Sequence, residues 1–423
     1  MRIMVTAQHR ARPMDSFVAT RPRVRGCPRQ ERVRHRVGPV TRPRAGSAAA
    51  LALATGLLVV PATLDPAVAA AAATCGGEPA TMVLGDGDDE VTGTAGDDVV
   101  VLGGGNDSYD DPGGNDVVCA GDGEAFIRPG DGDDRVYGGT GRTYMIDDAG
   151  TDYYDGEHSE ASLTFDGRGV DIRVAEGHER GNGDDAFARI ASYSGTAGAD
   201  RFVGSDAPET FQRVQGNDVV RLGGGDDLVQ VFSNRGKVFG GAGDDYVDVA
   251  RLGRKGVIST GPGSDLVMFG EPSKARVRLG TGADVFEGND GWARVDGGPG
   301  PDALWLDSAT RGVLVDAGAG TARYRGRALF HFSHFEGWSG TGFDDVLRGS
   351  PRADSIDGQS GDDVMIGLGG NDRLIGWDGH DTADGGPGVD RCHAELAASC
   401  EEMVPRQVPP VPDALRGPGV GWL

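Results

Sequence analysis

Aspartate recurs at every ninth residue over long stretches of this chain. Between residues 340 and 393, six nonapeptides follow one another without a break, and the sixth residue of each is aspartate. These residues are Asp345, Asp354, Asp363, Asp372, Asp381 and Asp390. Carboxylates are hard oxygen ligands, which Ca²⁺ binds at about 2.3–2.6 Å. The spacing therefore predicts a row of cation sites rather than one catalytic centre.

The same spacing occurs in two earlier stretches. Their candidate ligands are Asp89, Asp98, Asp107, Asp116 and Asp134 in the first stretch, and Asp200, Asp218, Asp227 and Asp245 in the second. Ala125 and Thr143 interrupt the first series, and the second series shifts phase to Asp265, Asp284 and Asp302. Asp152 and Glu209 occupy degenerate copies, and the turns of Asp354 and Asp381 lack some glycines, so these sites are weaker candidates.

Glycine and one apolar residue complete each repeat. Residues 240–248 form the most complete copy, Gly-Gly-Ala-Gly-Asp-Asp-Tyr-Val-Asp. Such copies resemble the G-G-x-G-x-D-x-U-x repeat of the RTX, or haemolysin-type, calcium-binding family. The resemblance implies an all-β fold, a right-handed parallel β-roll or β-solenoid, in which two repeats complete one coil. It also implies carbonyl groups as further ligands, and we include the turn residues Gly241, Gly243, Gly361 and Gly370 in the candidate metal sites.

The positions of glycine and of the apolar residues fit this fold. Glycine accounts for 73 of the 423 residues, and it permits the tight turns that a nine-residue unit needs. The eighth residue is apolar in all six repeats of 340–393, from Leu347 to Cys392, and alternation along a strand predicts that it points inward. Calcium is the expected ion, because Mg²⁺ demands octahedral geometry and zinc prefers histidine and cysteine ligands.

The repeats divide the chain into blocks. We expect β-roll blocks at 75–155, 195–306 and 340–393, separated by inserts at 156–194 and 307–339. Each insert contains a similar stretch of alternating apolar residues, at 168–174 and 311–315, so we expect strands that continue the solenoid with longer coils. Residues 394–423 should form a disulfide cap and a flexible proline-rich tail.

The charge distribution separates a basic leader from an acidic body. Residues 1–70 carry a net charge of +9 and the remainder −33, which disfavours nucleic acids and anionic membranes as partners of the body. An apolar run at 47–61 follows several arginines and precedes the small-residue sequence Ala67-Val68-Ala69. Residues 1–73 thus resemble a leader with a secretory signal peptide, and no later stretch is long enough to span a membrane. We expect a secreted, extracellular protein.

The cysteines agree with an oxidising compartment. Cys75, Cys119, Cys392 and Cys400 follow the leader, and four cysteines allow three pairings. We favour Cys75–Cys119 and Cys392–Cys400, because each pair then closes one end of the array. Four buried free thiols, or a lipid on Cys75, are the alternatives.

Catalytic signatures are incomplete. The sequence at His178-Glu179 lacks the second histidine of a zinc protease, and Gly337-Trp338-Ser339-Gly340-Thr341 lacks the final glycine of a nucleophile elbow. We therefore expect no catalytic residues and no enzyme, but a secreted calcium-binding protein that folds when several Ca²⁺ ions bind. The alternatives are a cell-surface adhesive protein, with Trp292, Trp305, Trp338 and Trp377 as candidate contacts to a glycan or cell-wall polymer, and a β-helical polysaccharide-active enzyme.

Overall fold

Two long, mainly parallel β-sheets face each other along the chain. The computed structural model describes residues 73–403 except 159, 168, 182, 233–234, 254, 272 and 290. The predicted signal peptide and the proline-rich tail after residue 403 lie outside the described residues. The described part has one short 3-10 helix, Val174–Glu176, and the fold is an all-β parallel solenoid, as predicted.

The first sheet, sheet 1, contains two local antiparallel units among its parallel strands. In spatial order its strands are Met82–Val83, Val99–Val101, Val117–Cys119, Arg135–Tyr137, Tyr153–Asp155, Ala186–Ala188, His178–Arg180, Asp171–Arg173, Arg201–Val203, Val219–Gly224, Lys237–Ala242, Gly256–Pro262, Lys274–Thr281, Trp292–Asp296, Arg327–Ser333, Thr321–Tyr324, Leu314–Asp316, Val346–Arg348, Val364–Ile366, Thr382–Asp384 and Leu396–Ala398.

The second sheet, sheet 2, is parallel throughout and has 17 strands in the described residues. They are Glu90–Thr92, Gly104–Asp110, Asp122–Arg128, Arg142–Asp147, Glu160–Phe165, Ser192–Ser194, Thr210–Val214, Leu228–Val231, Tyr246–Val249, Leu266–Phe269, Val285–Glu287, Ala303–Trp305, Gly337–Ser339, Ser355–Asp357, Arg373–Ile375, Arg391–His393 and Glu402–Met403. Because the chain alternates between the two sheets, one strand from each completes a coil.

The core is a narrow stack of side chains between the sheets. Each three-residue strand points its central residue inward, as the period of two requires. The eighth residues of the last six repeats are all buried, and the prediction for them is confirmed. Larger rings fill the wider coils, where Phe286 of sheet 2 packs edge-on against Phe330 of sheet 1 with ring centroids 5.6 Å apart. The fold thus buries about one apolar side chain per repeat.

Most coils are two repeats long, and this length sets which residues stack. Val346, Val364 and Thr382 are neighbours in sheet 1 at intervals of 18 residues. Two successive coils are longer, with 20 residues between Lys237 and Val257 and 19 between Val257 and Arg276, and together they account for the phase shift seen in the sequence. The extra residues are accommodated within these two coils, and the stacking continues.

Each insert forms an antiparallel unit in sheet 1 rather than only a longer coil. Asp171–Arg173 pairs antiparallel with His178–Arg180, and its other edge pairs parallel with Arg201–Val203. The second insert repeats this arrangement, since Leu314–Asp316 pairs antiparallel with Thr321–Tyr324 and parallel with Val346–Arg348. The predicted strands are present, and the inserts rejoin the parallel stack on both sides.

Both ends of the described solenoid carry a disulfide. Cys75, in a small hairpin of Thr74–Cys75 and Glu78–Pro79, is bonded to Cys119, and Cys392 is bonded to Cys400. These are the pairings that the sequence favoured. In the described residues no helix has the length and apolar character that a membrane span requires.

Candidate metal centre

The acidic side chains of the repeats lie along the two edges of the roll. We call edge 1 the row of turns that lead into sheet 1, and edge 2 the row that leads into sheet 2. The acidic residues immediately before or within the strand starts are Asp98, Asp116, Asp134, Asp152, Asp185, Asp200, Asp218, Asp345, Asp363, Asp381 and Glu395 on edge 1, and Asp89, Asp107, Glu209, Asp227, Asp245, Asp265, Asp284, Asp302, Glu336, Asp354, Asp372, Asp390 and Glu401 on edge 2. We call these the ladder residues. All the aspartates predicted as ligands are among them.

One oxygen of most ladder carboxylates links neighbouring coils. The Oδ1 atom of Asp134 accepts a hydrogen bond of 2.7 Å from the backbone N–H of Asp116, one coil earlier. On edge 2, the Oδ1 atom of Asp372 accepts the N–H of Asp354 at 2.9 Å. The bond recurs between successive coils, so the carboxylates form a column along each edge, interrupted on edge 1 between Asp218 and Asp345 and on edge 2 between Asp107 and Glu209.

The second carboxylate oxygen is buried and lacks a hydrogen-bond partner in many turns. Among the described residues this is true of the Oδ2 atoms of Asp116, Asp134, Asp185, Asp227, Asp245, Asp265, Asp284, Asp302, Asp363, Asp372, Asp381 and Asp390. A buried carboxylate is stable only when it is paired, protonated or bound to a metal. These oxygens therefore point to a ligand that the polypeptide does not itself supply.

Burial also shifts the titration of these groups. Desolvation raises the pKa of Asp134 and of Asp245 to about 8, and that of Asp363 to about 7, despite the lowering effect of a backbone hydrogen bond. Neighbouring ladder carboxylates raise these pKa values further, because like charges repel at the distance of one coil. A bound divalent cation would offset both the desolvation and the repulsion, because its positive charge favours the ionised carboxylates.

Turn glycines bring backbone carbonyl groups close to this column. Gly241 and Gly243 both have φ of 130°, a conformation that favours glycine. A Cβ atom added to Gly243 would lie less than 3.0 Å from the carbonyl oxygen of Gly225, one coil earlier. A Cβ atom added to Gly240, the first residue of the turn, would lie less than 3.0 Å from Oδ2 of Asp245, so only glycine leaves room for this oxygen. The turn thus offers carboxylate and carbonyl oxygens, the ligand set that Ca²⁺ prefers.

The remaining predicted glycines follow the same geometry. Gly361 has φ of 123° and Gly370 has φ of 116°, and each packs against the backbone of the preceding coil.

The two turns whose sites the sequence left doubtful, those of Asp354 and Asp381, differ in backbone conformation. Trp377, beside Asp381, adopts φ of 73° and so keeps the turn conformation without glycine, whereas Ser350, beside Asp354, does not.

Two compact clusters of three carboxylates add residues outside the nine-residue phase. Carboxylate oxygens of Asp98, Asp111 and Asp116 lie within 4.8 Å of one another, and so do those of Asp147, Glu179 and Asp185. All six residues are buried. Asp111 and Asp147 occupy the first position of their turns, where other turns have glycine, and the sequence analysis did not single them out.

Several ladder residues were also missed because the inserts interrupt the spacing. Asp185 accepts the N–H of Asp152 at 2.8 Å across 33 residues, and Glu336 accepts that of Asp302 at 3.1 Å. Glu395 and Glu401 continue the two columns beyond Asp381 and Asp390. The only signal in the sequence that could have indicated them is an acidic residue immediately before a short apolar stretch.

The groups considered for catalysis and glycan binding are dispersed. His178 has its Nε2 2.9 Å from Asp184, and its ring nitrogen Nδ1 contacts the carbonyl oxygen of Asp185. Trp338 is buried in the core, whereas Trp377 donates to Asp357 at 2.8 Å and Trp292 is exposed. Trp305 is half-buried in its strand. The four tryptophans therefore do not share one environment.

Comparison with known families identifies the repeat. The model of the RTX calcium-binding nonapeptide repeat (4 copies) matches residues 81–110, 129–157, 215–230, 276–304, 339–374 and 358–392. These ranges fall on all three blocks of ladder residues. No curated protein matches the chain.

Proposed function

Because the chain contains RTX calcium-binding nonapeptide repeats in all three blocks, we propose that it is a secreted calcium-binding protein and that Ca²⁺ binding drives the folding of its roll. The observation that carries this proposal is the column of buried Oδ2 atoms for which the described polypeptide provides no hydrogen-bond donor. The proposed ligands are these carboxylates together with carbonyl groups of the glycine turns.

Bound Ca²⁺ ions would favour folding by neutralising the repulsion between stacked carboxylates. Without a cation, stacking the coils brings ladder carboxylates such as Asp227, Asp245 and Asp265 into adjacent, desolvated positions. Ca²⁺ supplies positive charge and accepts the free oxygens as ligands, so its binding free energy adds to the stability of the folded state. With a net charge of −33 outside residues 1–70 and a narrow core, we expect the calcium-free chain to be expanded.

This mechanism fits an extracellular location. Extracellular calcium modules function with dissociation constants of about 10⁻⁴–10⁻³ M, so weak sites would fill only outside the cell. The two disulfides are compatible with that compartment. The chain would then leave the cell unfolded and fold afterwards. In this proposal it acts as a binding protein without a catalytic step.

The test is a calcium titration of the full chain after chelation. Far-ultraviolet circular dichroism should show a large gain of β signal on addition of Ca²⁺, and isothermal titration calorimetry should show several bound ions. Mg²⁺ at the same concentration should produce a smaller change. Spectra that are identical in Ca²⁺ and in chelator would contradict the proposal.

A basic cavity favours a second function, that of a surface interaction protein. Arg235, Arg251, Lys255 and Lys274 line a cavity of about 570 Å³ on edge 1. In these coils edge 1 has no acidic column, because the positions in register with Gly236 are Gly256 and Ala275. These four basic side chains form no ion pair among the described residues.

The partner proposed for this cavity is an acidic polysaccharide, since cations grouped on an otherwise acidic body select for negative charge. Dextran sulfate should bind in the presence of Ca²⁺ and neutral dextran should not. Substitution of Arg235 and Lys274 by alanine should weaken binding, whereas Arg142→Ala, which removes a basic side chain paired with Glu160 in sheet 2, should not. Equal binding by both variants would contradict this second function.

A further inference from the structure

In four turns, the residue at the second position donates both its backbone N–H and its hydroxyl group to the ladder carboxylate. The pairs are Thr196 with Asp200, Ser205 with Glu209, Thr341 with Asp345, and Ser350 with Asp354. In each turn the hydroxyl residue is at the second position, where the most complete repeat has Gly241. We call these the hydroxyl-capped turns.

The cap engages both oxygens of the carboxylate. The backbone N–H of Thr196 donates to Oδ2 of Asp200 at 2.9 Å, and its hydroxyl group donates to Oδ1 at 2.8 Å. Oδ1 also accepts the N–H of Val170 at 3.0 Å. Three donors therefore converge on one buried carboxylate, and they occupy the directions from which a cation would approach.

The third block repeats this geometry. Thr341 donates its N–H to Oδ2 of Asp345 at 2.6 Å, and its hydroxyl oxygen lies 3.1 Å from both carboxylate oxygens. Ser350 donates its N–H to Oδ2 of Asp354 at 2.6 Å and its hydroxyl group to Oδ1 at 3.1 Å. None of the four capped carboxylates is among the described groups with an unpartnered buried oxygen.

The backbone also distinguishes most open turns from the capped ones. Nearly all open turns have positive φ at the second position, not only at glycines but also at Leu368, with φ of 81°, and at Trp377, with φ of 73°, and the turn of Asp116, with Pro112 there, is an exception. Thr196, Thr341 and Ser350 do not adopt this conformation. Bulky residues in the left-handed region cost of order 1–3 kcal/mol, so the open turn conformation is retained for a reason other than local preference.

The hydroxyl-capped turns also have a fixed place in the chain. Asp200 and Glu209 are the first two ladder residues of the block that follows the first insert, and Asp345 and Asp354 begin the block that follows the second insert. Each insert is thus followed by one capped turn on edge 1 and one on edge 2.

We propose that the four hydroxyl-capped turns bind no cation, and that the hydroxyl and amide donors replace the ion that open turns require. The inference rests on the proposed function, and it narrows the predicted ligand set by removing Asp200, Asp345 and Asp354. Capped turns then form cation-independent starting points for the second and third blocks, and the open turns that follow them are those of Asp227 in the second block and of Asp363 and Asp372 in the third.

A matched pair of substitutions tests the assignment by ion count. Asp245→Asn in an open turn should lower the number of Ca²⁺ ions bound per chain by at least one. Asp200→Asn in a capped turn should leave the wild-type number unchanged. Stoichiometry is measured by equilibrium dialysis with ⁴⁵Ca²⁺, and circular dichroism at saturating Ca²⁺ shows whether each variant is folded. Loss of an ion from folded Asp200→Asn would overturn the inference.

A gain-of-site variant decides the matter if Asp200→Asn fails to fold. Thr196→Gly converts residues 195–200 to Gly-Gly-Ala-Gly-Ala-Asp, which reproduces the glycine pattern of 240–245, and it should bind one additional ion. Thr196→Ser keeps the hydroxyl group and should keep the wild-type number. An unchanged count in Thr196→Gly would overturn the inference. A wild-type chain that binds no Ca²⁺ would instead overturn the proposed function.

Discussion

Replacement of Asp245 by asparagine should change stability in opposite directions with and without calcium. Asparagine preserves the size of the side chain, and its Oδ1 can still accept the N–H of Asp227, which lies 3.2 Å from the carboxylate. The substitution therefore removes the negative charge while it retains the link between coils. If the charge exists to bind an ion, its loss should help the calcium-free protein and harm the calcium-bound one.

The expected gain without calcium follows from the spacing of the column. Asp227 and Asp265 lie one coil before and one coil after Asp245, a spacing of about 4.8 Å between parallel strands. At an effective dielectric constant near 20, each ionised neighbour repels Asp245 by roughly 3 kcal/mol. Because salt weakens both interactions, we expect Asp245→Asn to stabilise the calcium-free fold by about 2–4 kcal/mol at pH 9.

The loss with calcium follows from mass action. A site filled at 100 times its dissociation constant contributes about 2.7 kcal/mol to folding. At 10 mM Ca²⁺, sites of about 10⁻⁴ M reach that ratio, so Asp245→Asn should destabilise the protein by about 3 kcal/mol. Urea unfolding measures the calcium-bound value. In chelator, folding driven by trimethylamine N-oxide measures the other value even where the chain is expanded.

The neighbouring aspartate provides the matched control. Asp244 is exposed, and it accepts the N–H of Ser264 at 2.7 Å, a bond that asparagine can preserve. Asp244→Asn should shift stability by no more than about 0.5 kcal/mol in either condition. If Asp245→Asn destabilises the protein equally in calcium and in chelator, Asp245 serves as a hydrogen-bonding group of the turn, and the electrostatic account is refuted.

Three further outcomes can be measured. In chelator, lowering the pH from 8 to 5 should increase the β signal in circular dichroism. Burial raises the pKa of ladder residues such as Asp245 to about 8, so the folded state binds more protons than the unfolded state and stability falls as the pH rises. A decrease of the β signal at pH 5 would contradict this. Gly243→Ala should lower the free energy of unfolding in urea by about 2–5 kcal/mol, because its φ is 130° and the added Cβ would clash with the carbonyl oxygen of Gly225. Gly96→Ala, where the nearest atom to the added Cβ is 4.0 Å away, should cost less than about 1 kcal/mol. Replacing both Cys75 and Cys119 by serine should destabilise the calcium-bound protein by about 2–5 kcal/mol in the same assay, and an unchanged unfolding midpoint would show that this link is dispensable.

The sequence was sufficient to predict the solenoid because every local requirement has the same period. Turn glycines, a ladder carboxylate and one inward apolar residue recur together, so the phase of one specifies the others. Met365 and Leu374 are buried where the period places them. The antiparallel units of the inserts could not be predicted in this way, because a strand such as Leu314–Asp316 alternates identically whether its neighbour is parallel or antiparallel.

The site was predictable only where the period is unbroken. Glu336 joins the column beside Asp302 across 34 residues, a distance set by the insert between them and not by the repeat. Asp111 was missed because it replaces the first glycine of its turn, and what makes room for it is Gly93 on the neighbouring coil. Such placements depend on which coils become neighbours, and no nine-residue pattern contains that information.

The distinction between capped and open turns was visible in the sequence but could not be interpreted there. Residues 195–200 and 340–345 were recognisable as related because both begin with Gly-Thr and end with Asp. Only the hydrogen bonds show that the threonine satisfies the aspartate, so that the same carboxylate that needs an ion in one turn needs none in another. On this inference, a match to the repeat consensus overestimates the number of bound ions. It counts each aspartate but not the N–H and hydroxyl groups of the same turn that already bind its carboxylate. The second residue of the turn is the more informative position. In most turns a residue that adopts positive φ leaves a carboxylate oxygen available to the cation, whereas a threonine or serine whose hydroxyl group reaches the carboxylate takes the place of the cation.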